Sequence, residues 1–131
     1  MADLKEKAVA LLGSVDDVDL NDDASSTTIY TVPTGKKCVL DHVRLRNISG
    51  NCTNATCTVG KSGALTDFLG TQTLSGLNAA ASTGILRPLP NATTVKGIEY
   101  VATNALVFRV VVAASVACTA TVEFFGTIDD A

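Results

Sequence analysis

From residue 27 to the end of the chain, short runs of alternating apolar and polar residues are separated by clusters of Gly, Pro, Asn and Ser, the pattern of a chain built from strands. The alternation is clearest near the end. Cys118, Ala120, Val122 and Phe124 share one face and Thr119, Thr121 and Glu123 the other, so one side packs and the other meets water. Strands are predicted near 27–32, 37–47, 53–60, 67–74, 83–87, 93–101, 105–114 and 116–126. Turn signals separate them at Pro33-Thr34-Gly35, Ser49-Gly50-Asn51, Lys61-Ser62-Gly63, Ser75-Gly76, Pro88-Leu89-Pro90-Asn91 and Thr103-Asn104. In Val32-Pro33-Thr34-Gly35, proline at the second position and glycine at the fourth predict a type I turn. Short strands at this spacing, with no helical segment between them to build parallel units, predict an all-β, jelly-roll-like antiparallel β-sandwich over 27–131.

The period changes at the N-terminus. Leu4, Ala8, Leu11 and Leu12 fall at i, i+4, i+7 and i+8, Asp3 and Glu6 fit a capping box, and Gly13 can end the run, which predicts a short amphipathic helix over 3–13. A helix this short is marginal alone, so its apolar stripe must pack on its own sandwich or on a neighbouring subunit. Residues 14–26, SVDDVDLNDDASS, lack a sustained period and read as an extended acidic arm, giving an N-terminal unit of 1–26. One strand stands apart from the simple alternation. In ALVFRVVVA, Leu106, Phe108, Val110 and Val112 face one way, but Val107 and Val111 lie with Arg109 on the other face, which therefore needs a cover.

The 131 residues suffice for one domain that folds without staples. A net charge of −3 and 5% aromatics, with no Trp, offer neither the electrostatic footprint nor the stacking platforms of a nucleic-acid binder. No apolar run is long enough to span a membrane, and the N-terminus lacks the apolar core of an export signal, so synthesis in a cytoplasm and reduced cysteines are expected. Cys38, Cys57 and Cys118 fall in apolar strand patterns, where cysteine packs as a small hydrophobe.

Candidate chemistry is sparse. Gly60-Lys61-Ser62 looks like the end of a phosphate loop, but Ala55 occupies the first glycine position and no helix follows, so a polar hairpin turn is the expectation. Asp17-Val18-Asp19-Leu20-Asn21 starts like a calcium loop, yet Asp22 stands at the required glycine and Thr28 at the bidentate glutamate. His42, the single histidine, shares a strand face with Arg44 and Arg46, opposite Val43 and Leu45. Asp41 points the other way on a regular strand and should not pair with it. No catalytic set, cofactor site or metal site is expected. The stripe of His42, Arg44 and Arg46 instead suits contact with an acidic partner surface.

The segment Thr27 to Asn47, TTIYTVPTGKKCVLDHVRLRN, resembles the opening strands of small virion proteins of tailed bacteriophages, in which a YTVP-x-GK turn leads into a strand and an asparagine-containing loop. The hairpin TCTVGKSG and the closing strands NALVFRVVVAASVACTATVEFFGTID are similar to the rest of such a sandwich, so the resemblance covers about 27–128. The resemblance implies a non-enzymatic capsid decoration (cement) protein, a homotrimer on the head surface with the major capsid protein as its partner. Neck, tail and fibre-attachment components are the alternative it leaves open. A carbohydrate-binding module is the third reading, and the scarcity of aromatics for sugar stacking counts against it. The expected partner interface comprises Leu4, Ala8, Leu11, Leu12, His42, Arg44, Arg46, Val107 and Val111, with neither nucleic acid nor membrane involved.

Overall fold

The computed structural model describes residues 8–88 and 98–131. Nine strands and no helix occur among them: β1 (Ala10–Asp19), β2 (Ser26–Thr31), β3 (Lys36–Arg46), β4 (Thr56–Lys61), β5 (Ala64–Thr73), β6 (Gly84–Leu86), β7 (Glu99–Val101), β8 (Ala105–Val112) and β9 (Thr119–Asp130). All pairings are antiparallel. One sheet runs β1-β9-β3-β6 and the other β2-β8-β4-β5. β7 pairs with the start of β3 while β6 pairs with its end, and both run in the same direction, so together they form one strand broken where the chain leaves the sheet after Leu86 and returns at Glu99. Counted that way, eight strands divide between two four-stranded sheets in the order of a jelly roll, with β4 and β5 as a hairpin within one sheet, as the sequence pattern predicts.

Between the sheets lies a continuous apolar core in which Leu20, Val43, Leu45, Leu106, Phe108, Val122 and Phe124 are fully buried. All four cysteines lie in this interior. Tyr100 on β7 crosses from one sheet to the other: its hydroxyl donates to Asp67 Oδ1 on β5 (2.8 Å), an oxygen that also accepts the Lys61 amide (3.2 Å). Burial, then the Asp67 hydrogen bond, pushes the Tyr100 phenol well above its ordinary range, so it stays a donor at any physiological pH.

Three local expectations need correction. Residues 10–13 belong to β1 rather than to the end of a helix, and 14–19 continue that strand instead of forming an arm; residues 1–7 lie outside the described residues. The cause is tertiary. β1 completes the hydrogen bonding of the long strand β9, and two irregularities, between Leu11 and Gly13 and between Val15 and Val18, interrupt the period of two that would have announced it. Asp17 takes φ of +57° at the second, which lets Val18 and Leu20 turn inward while the acidic side chains stay wet. At the Pro33 turn, the Lys36 amide donates to the Pro33 carbonyl (3.1 Å) and Gly35 has φ of +78°. Glycine is thus third in a turn that starts one residue later than expected, with type II geometry. Finally, β3 carries a bulge: Leu40 pairs with Gly126 and His42 with Phe125, leaving Asp41 as the extra residue.

Elsewhere the expected elements hold to within a few residues. Ser62-Gly63 close a two-residue hairpin between β4 and β5, which disposes of the phosphate-loop reading. The described part of the strand expected at 93–101 is β7; positions 89–97, with most of the expected Pro88–Asn91 turn, lie outside the described residues.

The bulge in β3 depends on its partner. Gly126 sits between Ala10 of β1 and Leu40 of β3, and a Cβ there would run into the Val39 carbonyl oxygen. Because that neighbour is backbone within a ladder, it cannot rotate away. Gly126→Ala should therefore lower stability by about 3 kcal/mol, as overpacking against a rigid neighbour does, measured by urea unfolding against Gly70→Ala, where a Cβ meets open space. Equal midpoints for the two variants would contradict this account of the bulge.

Candidate functional site

The outer face of the β1-β9-β3-β6 sheet gathers most of the residues that carry chemistry. The bulge at Asp41 puts two successive β3 side chains, Asp41 and His42, on this face, and the phase after it keeps Val43 and Leu45 inside with Arg44 and Arg46 outside. Asp41 and His42 consequently do pair, contrary to the expectation for a regular strand: His42 Nδ1 lies 2.7 Å from Asp41 Oδ2. A carboxylate only accepts, so Nδ1 carries the hydrogen. The imidazole stacks flat on Phe125 of β9, with ring centroids 4.6 Å apart and planes 7° from parallel. Arg44 covers the same ring, its guanidinium carbon 5.1 Å from the centroid.

One row further along, Glu123 of β9 is buried under two arginines. Arg44 Nε donates to Glu123 Oε1 (2.7 Å), Arg44 Nη2 lies 2.7 Å from the same oxygen, and Arg46 Nε approaches it to 3.0 Å as an ion pair outside hydrogen-bond alignment. Burial pushes the Glu123 carboxyl up, but the Arg44 hydrogen bond and the charges of both arginines together outweigh it and hold the group below its ordinary value. Beyond it, Thr121 donates to Asp16 Oδ1 (3.0 Å) and Asn47 Nδ2 donates to Thr121 Oγ1 (3.3 Å). The basic stripe read from the sequence is therefore a stripe already shared with an internal carboxylate, with less charge to offer a partner than its two arginines suggest.

The other half of this face is apolar. Leu11 pairs with Phe125, Ile85 with Arg44, and Val39 and Val101 lie along β3 and β7; Leu11 is 50% exposed, Ile85 57% and Val101 56%. Beside Leu11, at the end of the sandwich, a groove of about 170 Å³ reaches toward the core and is lined by Ala8, Ala10, Leu12, Lys36, Gly126, Ile128 and Asp129. Large apolar side chains left half in water on one sheet face, rimmed by ion pairs, have the composition of a contact surface.

The structure sorts the expected interface residues. Ala8, Leu11 and Leu12 border this face or its groove, although Leu12 packs mainly on the core. His42, Arg44 and Arg46 lie on it, and Leu4 lies outside the described residues. Val107 is a correction: on β8 of the other sheet it is 5% exposed within the single chain, so the cover that strand needed is supplied internally. Val111 beside it is half-buried. Val39, Ile85, Val101 and Phe125 were missed. Phe125 had a signal, an aromatic on the wet side of the last strand, whereas the exposure of Ile85 and Val39 depends on bulges and pairings the sequence does not display. Among the described residues no group of three potential ligands gathers to hold a metal ion.

A Glu123→Gln variant keeps the shape but removes the charge that two arginines share. Because the guanidiniums are half-exposed and screened, the loss at pH 7 should be about 1–2 kcal/mol. A carboxyl depressed on folding stabilises above its unfolded value near 4.3 and loses that contribution as pH falls through the folded value. Urea midpoints measured from pH 7 to pH 3 should therefore fall less steeply for the variant than for the parent. Parallel curves would show that Glu123 is not held ionised by Arg44 and Arg46.

No family model matches the chain, and no curated protein matches its sequence. Among solved structures, a chain of the cyanophage Pam1 capsid asymmetric unit has a similar fold: the TM-score is 0.57 and the identity 21%, over 92% of this chain and 83% of that chain. Identity at that level speaks for the shared fold.

Proposed function

We propose that this protein is a structural component of a bacteriophage virion, a decoration (cement) subunit that binds the outer shell of the head through the β1-β9-β3-β6 face and braces neighbouring capsomers without catalysis. The observation that carries the reading is the shared fold, matched along nearly the whole chain to a protein of a phage capsid asymmetric unit. The half-exposed Leu11, Ile85, Val39 and Val101 support it, because covering them against a partner removes apolar area from water at about 25 cal/mol per Å². The partners are the major capsid protein and further copies of this chain, arranged as a homotrimer so that a small domain can bridge several capsomers. Arg44, Arg46 and Glu123 then set register at the edge of the contact rather than supply its affinity.

The test combines light scattering of the purified protein with cosedimentation on undecorated shells. A trimer that binds shells is expected. A double Leu11→Asp and Ile85→Asp variant should keep the parent's thermal midpoint and lose roughly 30-fold or more in shell affinity, the order of magnitude for two apolar side chains left uncovered. A monomer that never sediments with shells would overturn the decoration reading. Specific labelling at the neck or tail by antibody would move the protein to that part of the virion.

A further inference from the structure

The loop that follows β3 and the loop that precedes β9 lie side by side, and each contributes one buried cysteine to the seam. Cys52 and Cys118 bring their sulfurs to 2.8 Å although they are 66 residues apart in the chain. Both side chains are almost wholly excluded from water. The approach is built rather than accidental. Ser49 donates its amide to the Thr119 carbonyl (3.0 Å), Thr119 returns its own amide to Ser49 Oγ (2.8 Å), Ser115 donates its amide to the Thr53 carbonyl (3.0 Å), and Asn54 Nδ2 donates to Ser115 Oγ (2.6 Å). These bonds flank the two cysteines on both sides and hold the backbones at the separation that the sulfurs need.

We propose that Cys52 and Cys118 form an intrachain disulfide site, reduced during synthesis and closed by a peroxide under aerobic conditions. The sulfurs need less than one ångström of further approach to reach the about 2.05 Å of a disulfide, within the motion of two loops. In the chemistry, one thiol gives up its proton and the thiolate attacks hydrogen peroxide, breaking the O–O bond to give a sulfenic acid and a hydroxide that takes up that proton as water. The second thiol then displaces hydroxide from that sulfur, forming the S–S bond, and its proton turns the hydroxide into a second water, so the two thiols lose two protons and two electrons and the peroxide gains them. Burial, reinforced by the neighbouring sulfur, pushes the Cys52 thiol up to about 12, so closure is slow and waits on loop opening; the same burial shields the finished bond from reductants. Cys38 on β3 and Cys57 on β4 are buried in separate strands, and among the described residues the close approach of two sulfurs is between Cys52 and Cys118. Under the proposed virion role, the bond would be absent at assembly and present after release from the host.

The experiment uses the full chain, purified reduced and then held in hydrogen peroxide for hours to days, with aliquots denatured in N-ethylmaleimide. The expected result is a change from four maleimide labels to two, a single peptide cross-link joining Cys52 to Cys118, and a thermal midpoint raised by about 5–15 °C that dithiothreitol reverses. A Cys118→Ser variant should show no intrachain cross-link after the same treatment. Four labels persisting in the parent would overturn the proposal. So would cross-links between chains or through Cys38 or Cys57, or stepwise over-oxidation of Cys52 without a bond. None of these readings involves a shell, so they bear on the disulfide and leave the virion role to its own test.

Discussion

The double pairing of β9 is the constraint on which the rest of this molecule depends. Residues 119–126 of β9 pair with β1 and residues 121–130 with β3, so over 121–126 both edges of its backbone are satisfied, and its inward side chains, Ala120, Val122 and Phe124, are fixed at the centre of the core. That arrangement requires three devices. β1 must bend twice to follow β9, β3 must insert Asp41 where Gly126 lets the strands approach, and Gly13 must lack a side chain where β1 crosses the Ile29 carbonyl of the other sheet. Each device costs local regularity and each alters the surface.

The surface consequence is the face described here. A regular β3 would send Asp41 to one side and His42 to the other; the bulge turns both outward, seats the imidazole on Phe125 and leaves Val39, Leu11 and Ile85 around them. The same strand phase aims Arg44 and Arg46 at Glu123, so the charges close on one another within the protomer. What remains for a partner is chiefly apolar area with a polar rim. Such a surface supports binding by shape and burial, and it suits a bracing role better than a long-range electrostatic one.

Much of the fold was legible in the sequence because its core strands are apolar runs, several alternating with a period of two over most of their length, bounded by clear turn signals. β3, β4, β8 and β9 were found within a few residues, the GKSG hairpin was read as a hairpin, and the order of short strands pointed to a jelly roll. The failures share a physical origin. At Leu11–Gly13, Val15–Val18 and Leu40–His42 an extra residue shifts the phase, so the local pattern imitates a helix, an unstructured acidic arm, or a strand whose Asp41 and His42 cannot meet. Val107 failed for another reason: its cover comes from elsewhere in its own fold, which periodicity along one strand cannot report. Half of the candidate face was visible in advance, namely His42, Arg44, Arg46 and Leu11. The rest is set by which strands lie beside β3.

An electron-microscopy map of the intact particle, at a resolution that separates strands, tests the central claim most directly. The account predicts a jelly roll on the outside of the head at a local threefold position, in three copies, with β1, β9 and β3 turned toward the major capsid protein and Leu11 and Ile85 in the contact. A particle whose head carries no such density, or one in which that face points to solvent while the β2-β8-β4-β5 sheet makes the contact, would contradict it.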